Sequence, residues 1–182
     1  MKIDHSMIHL LAWTGMRPSE ACGLQWQDVD LVKGILLIRR SRHLGELAAP
    51  KTDGAGRVVR LVPDSVAWLR QIQPLHVRPS DFVFLNVDGR PVDQRKLAER
   101  FHASLRALGI RVRGLYCLKD TYVTFALQQD VRDDWLEKQT GVALSTLKKH
   151  YGTYDAVRDS DTQIARLMGG ENRPHIMAKN PR

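Results

Sequence analysis

Residues 140–154 read TGVALSTLKKHYGTY and place a phenol where it can do chemistry: Tyr151 follows Lys148, Lys149 and His150 and precedes Gly152. A tyrosine hydroxyl is a weak nucleophile at neutral pH, and it becomes competent toward phosphorus when neighbouring cations favour its phenolate. Leu144, Leu147 and His150 or Tyr151 recur at helical spacing, so the tyrosine closes a short amphipathic helix that Gly152 stops. The bland alternative is a ring packed at a helix C-terminus beside a glycine cap. Tyr154 lies past that glycine.

Such a nucleophile needs cations held at fixed geometry, and two further stretches offer them, while a third opens a helix between them and the tyrosine. In WTGMRPSEACGLQWQDVD, residues 13–30, Pro18 suits a first helical position, so a helix over 18–24 starts just after Arg17. A guanidinium at a helix start binds phosphate through a fixed fork, and it can pair with Glu20 at the same time. Pro50-Lys51-Thr52 falls in a basic hairpin between an apolar strand at 35–38 and its partner at 58–62, where a long side chain can dip into a groove. Tyr116-Cys117-Leu118-Lys119-Asp120-Thr121-Tyr122 opens a helix over 115–128 whose inward residues are expected to be Leu118, Tyr122, Phe125 and Ala126, with Lys119 in a separate phase.

Taken in order over nearly the whole chain, these boxes resemble the tyrosine recombinases of the phage integrase family. Thr14-Gly15-x-Arg17-x-x-Glu20 with Leu24, Trp26 and Asp28 resembles the first arginine box. Pro50-Lys51-Thr52 resembles the lysine turn, and His150-Tyr151-Gly152 the nucleophile box. The family's second box, His-x-x-Arg, is occupied by Tyr116 and Lys119, and the histidine or tryptophan usual nine residues before the nucleophile is Val142. Lysine keeps the charge of arginine but not its fork, tyrosine with an ordinary pKa of about 10 is a poor base at neutral pH, and valine only packs.

The resemblance implies an α+β fold, mainly α-helical with a small antiparallel β-sheet, forming one catalytic domain over residues 1–170. Residues 171–182 are expected to be a disordered tail, and the separate helical core-binding domain of full integrases is not expected within this chain. It further implies cleavage and rejoining of double-stranded DNA through a 3′-phosphotyrosyl bond to Tyr151. Arg17, Lys51, Lys119, Tyr116 and His150 would complete the site, with no cofactor, metal or ATP. A homo-tetramer on paired DNA sites and a monomer in isolation are implied as well. The Tyr116, Lys119 and Val142 replacements keep open a weakened domain that holds DNA without cutting it.

Composition points the same way. In 182 residues, 28 Lys and Arg face 20 Asp and Glu, a net charge of +8 that favours an anionic partner. The excess is patterned: residues 33–60 hold seven Lys or Arg against two acids, and residues 95–119 hold seven against one. The expected DNA surface is Arg39, Arg40, Arg42, Arg57, Arg95, Lys96, Arg111, Arg113, Lys148 and Lys149. Cys22 and Cys117 sit in apolar contexts and read as reduced packing residues. No apolar run is long enough for a membrane span and no signal-type segment opens the chain, so a cytoplasmic, prokaryotic or phage-encoded protein is expected.

The remaining elements position the boxes. Amphipathic spacing gives helices over 4–12, 64–72, 93–108 and 131–139, and a polar helix over 155–168 with Val157, Ile164, Leu167 and Met168 on one side. A short strand is expected at 82–85, and another near Ala48, Ala49 and Lys51. His5 and His9, four apart on the first helix, form half of a metal site for which no third ligand follows at useful spacing.

Overall fold

In the computed structural model, residues 2–48 and 56–151 are described, except for the side chains of Lys2, Lys148, His150 and Tyr151. The expected Lys51 turn, Tyr154, the 155–168 helix and the 171–182 tail lie outside the described residues.

Helix α1 (Lys2–Thr14) buries Met7, Leu10 and Leu11 and packs against α3 (Pro63–Ile72) and α5 (Cys117–Gln128). After it, α2 (Pro18–Cys22) starts at Pro18 as the sequence predicts. Leu24, Trp26 and Asp28 follow, all buried, in and before a short 3-10 turn (Trp26–Asp28). The apolar box is therefore scaffold: the Asp28 carboxylate accepts from Gln25 N at 3.2 Å and from the Arg40 guanidinium, pinning the turn to the end of a strand.

That strand is β2 (Ile35–Ile38), the middle of an antiparallel sheet ordered β1 (Val29–Asp30), β2, β5 (Arg57–Arg60). The register pairs Leu36 with Val59 and Ile38 with Arg57. Leu36, Ile38 and Val59 face the main core together with Phe84, Leu97 and Phe101. Between β2 and β5 the chain makes a second, separate hairpin, β3 (Ser41–His43) with β4 (Glu46–Ala48), seated on α2. Gly23 allows this contact, since a Cβ there would lie 3.0 Å from the backbone of Ser41.

Residues 82–85 do not form the expected strand. Phe82 and Leu85 make only isolated bridges, to Gln25 and Pro91, because Val83 and Phe84 are inserted in the core. Helix α4 (Gln94–Ala107) follows, capped by the Asp93 side chain; Leu97 and Phe101 are buried, whereas Leu108, within the range expected for this helix, lies exposed beyond its end. The two histidines of α1 pack on an aromatic neighbour, with the His5 ring 4.3 Å from that of Trp68.

Helices α5, α6 (Asp133–Thr140) and α7 (Leu144–Tyr151) form a second, smaller core from Val123, Ala126, Leu127, Leu136 and Leu147. The inward face of α5 is corrected here. Lys119, Val123, Ala126 and Leu127 are buried, Leu118 and Tyr122 are partly buried, and Phe125 is exposed. Spacing of i, i+4, i+7 and i+8 puts the lysine on the buried stripe. The residues between the boxes are thus organised as two apolar clusters meeting along α1 and α5.

Gly15 sits at that meeting. It has φ of +64°, and a Cβ would fall 2.6 Å from Tyr122 Cδ1 and 2.9 Å from Thr140 Cγ2. The glycine before Arg17 is thus required both by backbone conformation and by close approach of α5 and α6. Gly15→Ala is expected to destabilise the chain by more than about 2 kcal/mol, measured by urea unfolding, since strain and overpacking add at one position.

Candidate active site

Arg17 is the N-cap of α2, with extended backbone (φ −73°, ψ 144°). Its N–H donates to Glu20 Oε2 at 2.8 Å, and its Nη1 donates to Glu20 Oε1 at 3.0 Å. Pro18 fixes the first helical residue, so the spacing of three between Arg17 and Glu20 closes both bonds locally. The Arg17 side chain stays 42% exposed while that of Glu20 is 6% exposed. The guanidinium is accessible and its partner is not.

The carboxylate has a second guanidinium. Arg57 at the start of β5 donates from Nη1 to Glu20 Oε1 and from Nη2 to Glu20 Oε2, both at 2.7 Å, and from Nε to the carbonyl of Gln139 at 3.2 Å. Burial pushes the Glu20 carboxyl upward, but the hydrogen bond and charge of Arg57, then those of Arg17, outweigh it and hold the group below the usual carboxylate range. Arg57, expected on the DNA surface, therefore faces inward.

Lys119 approaches the same cluster from α5. Its ammonium donates to the carbonyl of Thr140 at 2.6 Å, at the C-terminal end of α6, where helix carbonyls lack intrahelical partners. Burial first, then the charge of Arg17, lowers its pKa from 10.5 to about 8; Glu20 and Asp120 oppose this, and Arg57 adds to it. Gly141, at φ +66°, ends α6, and Val142 packs in the second core before α7 begins. Arg17 and Lys119 thus lie near enough for the charge of one to depress the pKa of the other. Tyr116 is half-exposed at the N-cap of α5, one turn before the lysine. His150 and Tyr151 close α7, their side chains outside the described residues, and Lys51 lies outside them altogether.

The expected DNA surface divides. Arg40 pairs with buried Asp28, as does the more exposed Arg39 at 4.0 Å. Arg42 reaches the carbonyl of Val92 and lies over the Phe82 ring. Arg95, Lys96, Arg111, Arg113 and Lys149 are exposed, and the Lys148 side chain lies outside the described residues. Two supporting residues escape any reading of sequence. Gln139 accepts from Arg60 N (2.9 Å) and donates to Arg60 O (3.0 Å), while Thr140 supplies the carbonyl for Lys119. Both lie in α6 and act on partners far away in sequence, with no local signal.

An accessible guanidinium and a buried ammonium lie near one buried carboxylate that accepts four hydrogen bonds, on a helical domain with a three-stranded and a two-stranded sheet. The same fold is found in the Tn1549 transposon integrase solved with transposon right end DNA (TM-score 0.74, 19% identity, 91% of this chain and 59% of that one). It is also found in the XerA recombinase (TM-score 0.62, 18% identity, 96% of this chain and 58% of that one). The profile described as the Phage integrase family matches residues 2–121, a span that includes Arg17, Glu20, Arg57 and Lys119, and the chain belongs to that family.

Among curated relatives, the chain is 28% identical over 182 residues to prophage integrase IntR of Escherichia coli K12, covering 85% of this chain and 44% of that protein. It is 30% identical over 141 residues to tyrosine recombinase XerC 2 of Ralstonia nicotianae, covering 71% and 37%. The putative defective protein IntQ of Escherichia coli K12 matches at 26% over 159 residues, covering 72% and 40%. The chain thus spans about two fifths of the length of these relatives.

The lowered pKa of Lys119 has a measurable sign. Between pH 8 and 10.5 the unfolded chain still holds the proton that the folded chain has released, so this group's contribution to stability rises with pH across that window. The full rise is on the order of 3 kcal/mol. Urea unfolding at pH 8 and pH 10 is expected to show a smaller gain with pH in Lys119→Met than in the parent; parallel pH dependences would contradict a buried, titrating lysine.

Proposed function

We propose that this chain is the catalytic domain of a site-specific DNA recombinase that cuts and rejoins double-stranded DNA through Tyr151. The observation that carries this reading is the Arg17–Glu20–Arg57–Lys119 cluster beneath the end of α6, from which the chain runs directly into α7 and its terminal Tyr151. The tyrosine oxygen attacks a backbone phosphorus, a P–O(tyrosine) bond forms as the P–O5′ bond breaks, and the leaving 5′ oxygen takes a proton from Lys51. A 5′-hydroxyl from another strand then attacks the phosphotyrosine, which restores the phosphodiester and the phenol. Two transesterifications leave the number of ester bonds unchanged, so no external energy source is needed.

Negative charge grows on the non-bridging oxygens at the transition state, where Arg17 and Lys119 stabilise it. Ionising a phenol at pH 7 costs on the order of 4 kcal/mol, which the surrounding positive charge must offset. Lys119 serves this purpose only as the ammonium, so cleavage that depends on it declines as the pH rises above its pKa of about 8. Tyr116 and His150 flank the phosphate. Arg95, Lys96, Arg111, Arg113, Lys148 and Lys149, with the exposed part of Arg39, meet the DNA backbone. The protein works in the cytoplasm, and four copies assemble on paired sites through the segment after the nucleophile. These assignments take support from family membership and from DNA-bound relatives of the same fold, including a XerH recombinase solved with a difH substrate after cleavage (TM-score 0.60).

The test is a nicked duplex carrying a sequence that this chain selects from a randomised library. The parent should form a covalent adduct that survives denaturing electrophoresis. Tyr151→Phe should form none and bind with affinity within a few-fold of the parent. Loss in Tyr154→Phe instead would move the nucleophile, and binding by the parent without any adduct would reduce the chain to a DNA-holding domain. Affinity for the same duplex should fall steeply between 50 and 200 mM salt, on the order of tenfold for every two phosphate contacts.

A further inference from the structure

Arg57 has an acceptor on each of its three guanidinium nitrogens, two oxygens of Glu20 and the carbonyl of Gln139, and its side chain is 19% exposed. Gly141, at φ +66°, lies against it: a Cβ there would stand 3.4 Å from Arg57 Nη1. A cation intended for DNA keeps donors toward solvent, and this one has turned three of its five toward α2 and α6. Meanwhile Glu20 has about four acceptor positions on its two oxygens. Arg57 takes two of them, while the backbone N–H and Nη1 of Arg17 take the other two. Arg17 thus gives the carboxylate a single Nη donor.

We propose that Arg57 is a positioning residue for Arg17: by gripping both oxygens of Glu20, it keeps that carboxylate from chelating the Arg17 guanidinium and withdrawing it from phosphate. A carboxylate beside one arginine forms the two-pronged pair, the stronger arrangement. With Arg57 absent, Glu20 turns that fork on Arg17 and diverts donors that would otherwise meet the reacting phosphate. The Nε bond to Gln139 ties the same restraint to the end of α6, and so to the helix that carries Tyr151. This deepens the recombinase reading and rests on it.

The experiment compares the parent, Arg57→Met, Arg57→Lys and the double variant Arg57→Met/Glu20→Gln on the nicked duplex at saturating protein. Arg57→Met should slow adduct formation by about tenfold or more, the equivalent of one charge-assisted hydrogen bond, while affinity for DNA and its salt dependence stay near the parent's. Arg57→Lys retains charge without the fork and should also be slow; it carries the test if the methionine variant fails to fold. Replacing the carboxylate by an amide removes the competitor, so the double variant should recover several-fold over Arg57→Met alone. A merely structural role predicts a double variant no better than the single one, and that result, or parental rates in Arg57→Met and Arg57→Lys, overturns the proposal. A weakened affinity with a flatter salt dependence and unchanged saturated rate would make Arg57 a DNA contact instead.

Arginine side-chain NMR of the DNA-free chain reads the same point without chemistry. The Arg17 Nε–H signal should shift and its exchange with water slow in Arg57→Met, as the guanidinium closes on Glu20. If the parent forms no adduct yet this change appears, the recombinase reading fails and the positioning role stands. An unchanged Arg17 signal counts against the positioning role whatever the parent does.

Discussion

A single carboxylate holds this site in shape. Glu20 is nearly inaccessible and accepts four hydrogen bonds, from the backbone and side chain of one arginine and from both prongs of another. A buried charge is tolerated when it is paired and hydrogen-bonded, and removing one partner leaves the others worse than neutral. The consequence reaches backwards into the fold. Helix α2 has five residues, too few to be stable alone, so its placement depends on Pro18, the Glu20 bond to the Arg17 N–H and the Arg57 clamp. Arg57 in turn faces the carboxylate because it is paired with Ile38 in the sheet register, and a slip of one residue would turn it to the opposite face.

The polar site occupies the seam between the two apolar clusters. On one side lie α1, α2, the sheet, α3 and α4; on the other lie α6, α7 and the greater part of α5, whose first turn packs on the first cluster through Cys117 and Leu118. Across the seam run Arg57 to Gln139 and Gln139 to Arg60, and Gly15 lets Tyr122 and Thr140 approach the first arginine box. Apolar packing sets each half and is tolerant of small shifts, whereas these bonds are directional and fix how the halves meet. Charged groups placed at such a seam take their geometry from both halves at once.

This division explains what could be read in advance. The helices were legible because their apolar residues repeat at helical spacing, and the Arg17–Glu20 pair because proline and a separation of three make it local. The buried Lys119 was not legible, since leucine and tyrosine on either side argued for a different inward stripe and a lysine is rarely the residue a helix buries. Arg57 was misplaced because its direction follows from pairing across an excursion of eighteen residues, where its charge alone suggested a surface. The contacts of Gln139 with Arg60 join residues 79 apart, beyond any local pattern. Residues 82–85 had the composition of a strand but find only single bridging partners. Of the candidate site, the Arg17–Glu20 pair was legible in the sequence, whereas the burial of Lys119 and the Arg57 that grips Glu20 were not.

The Gln139 side chain also does something for the sheet that has no bearing on phosphate. Strand β5 lies at the edge of the sheet, so the outward N–H and C=O of Arg60 would be open to another strand. The Gln139 amide meets both, one oxygen on the N–H and one nitrogen on the C=O, as the backbone of a neighbouring strand would. An edge completed by a side chain offers no template there for pairing with a second molecule. The helix that ends over the Glu20 cluster therefore also seals the sheet, so loosening α6 would expose a sticky edge and at the same time release the Arg57 and Lys119 contacts it holds.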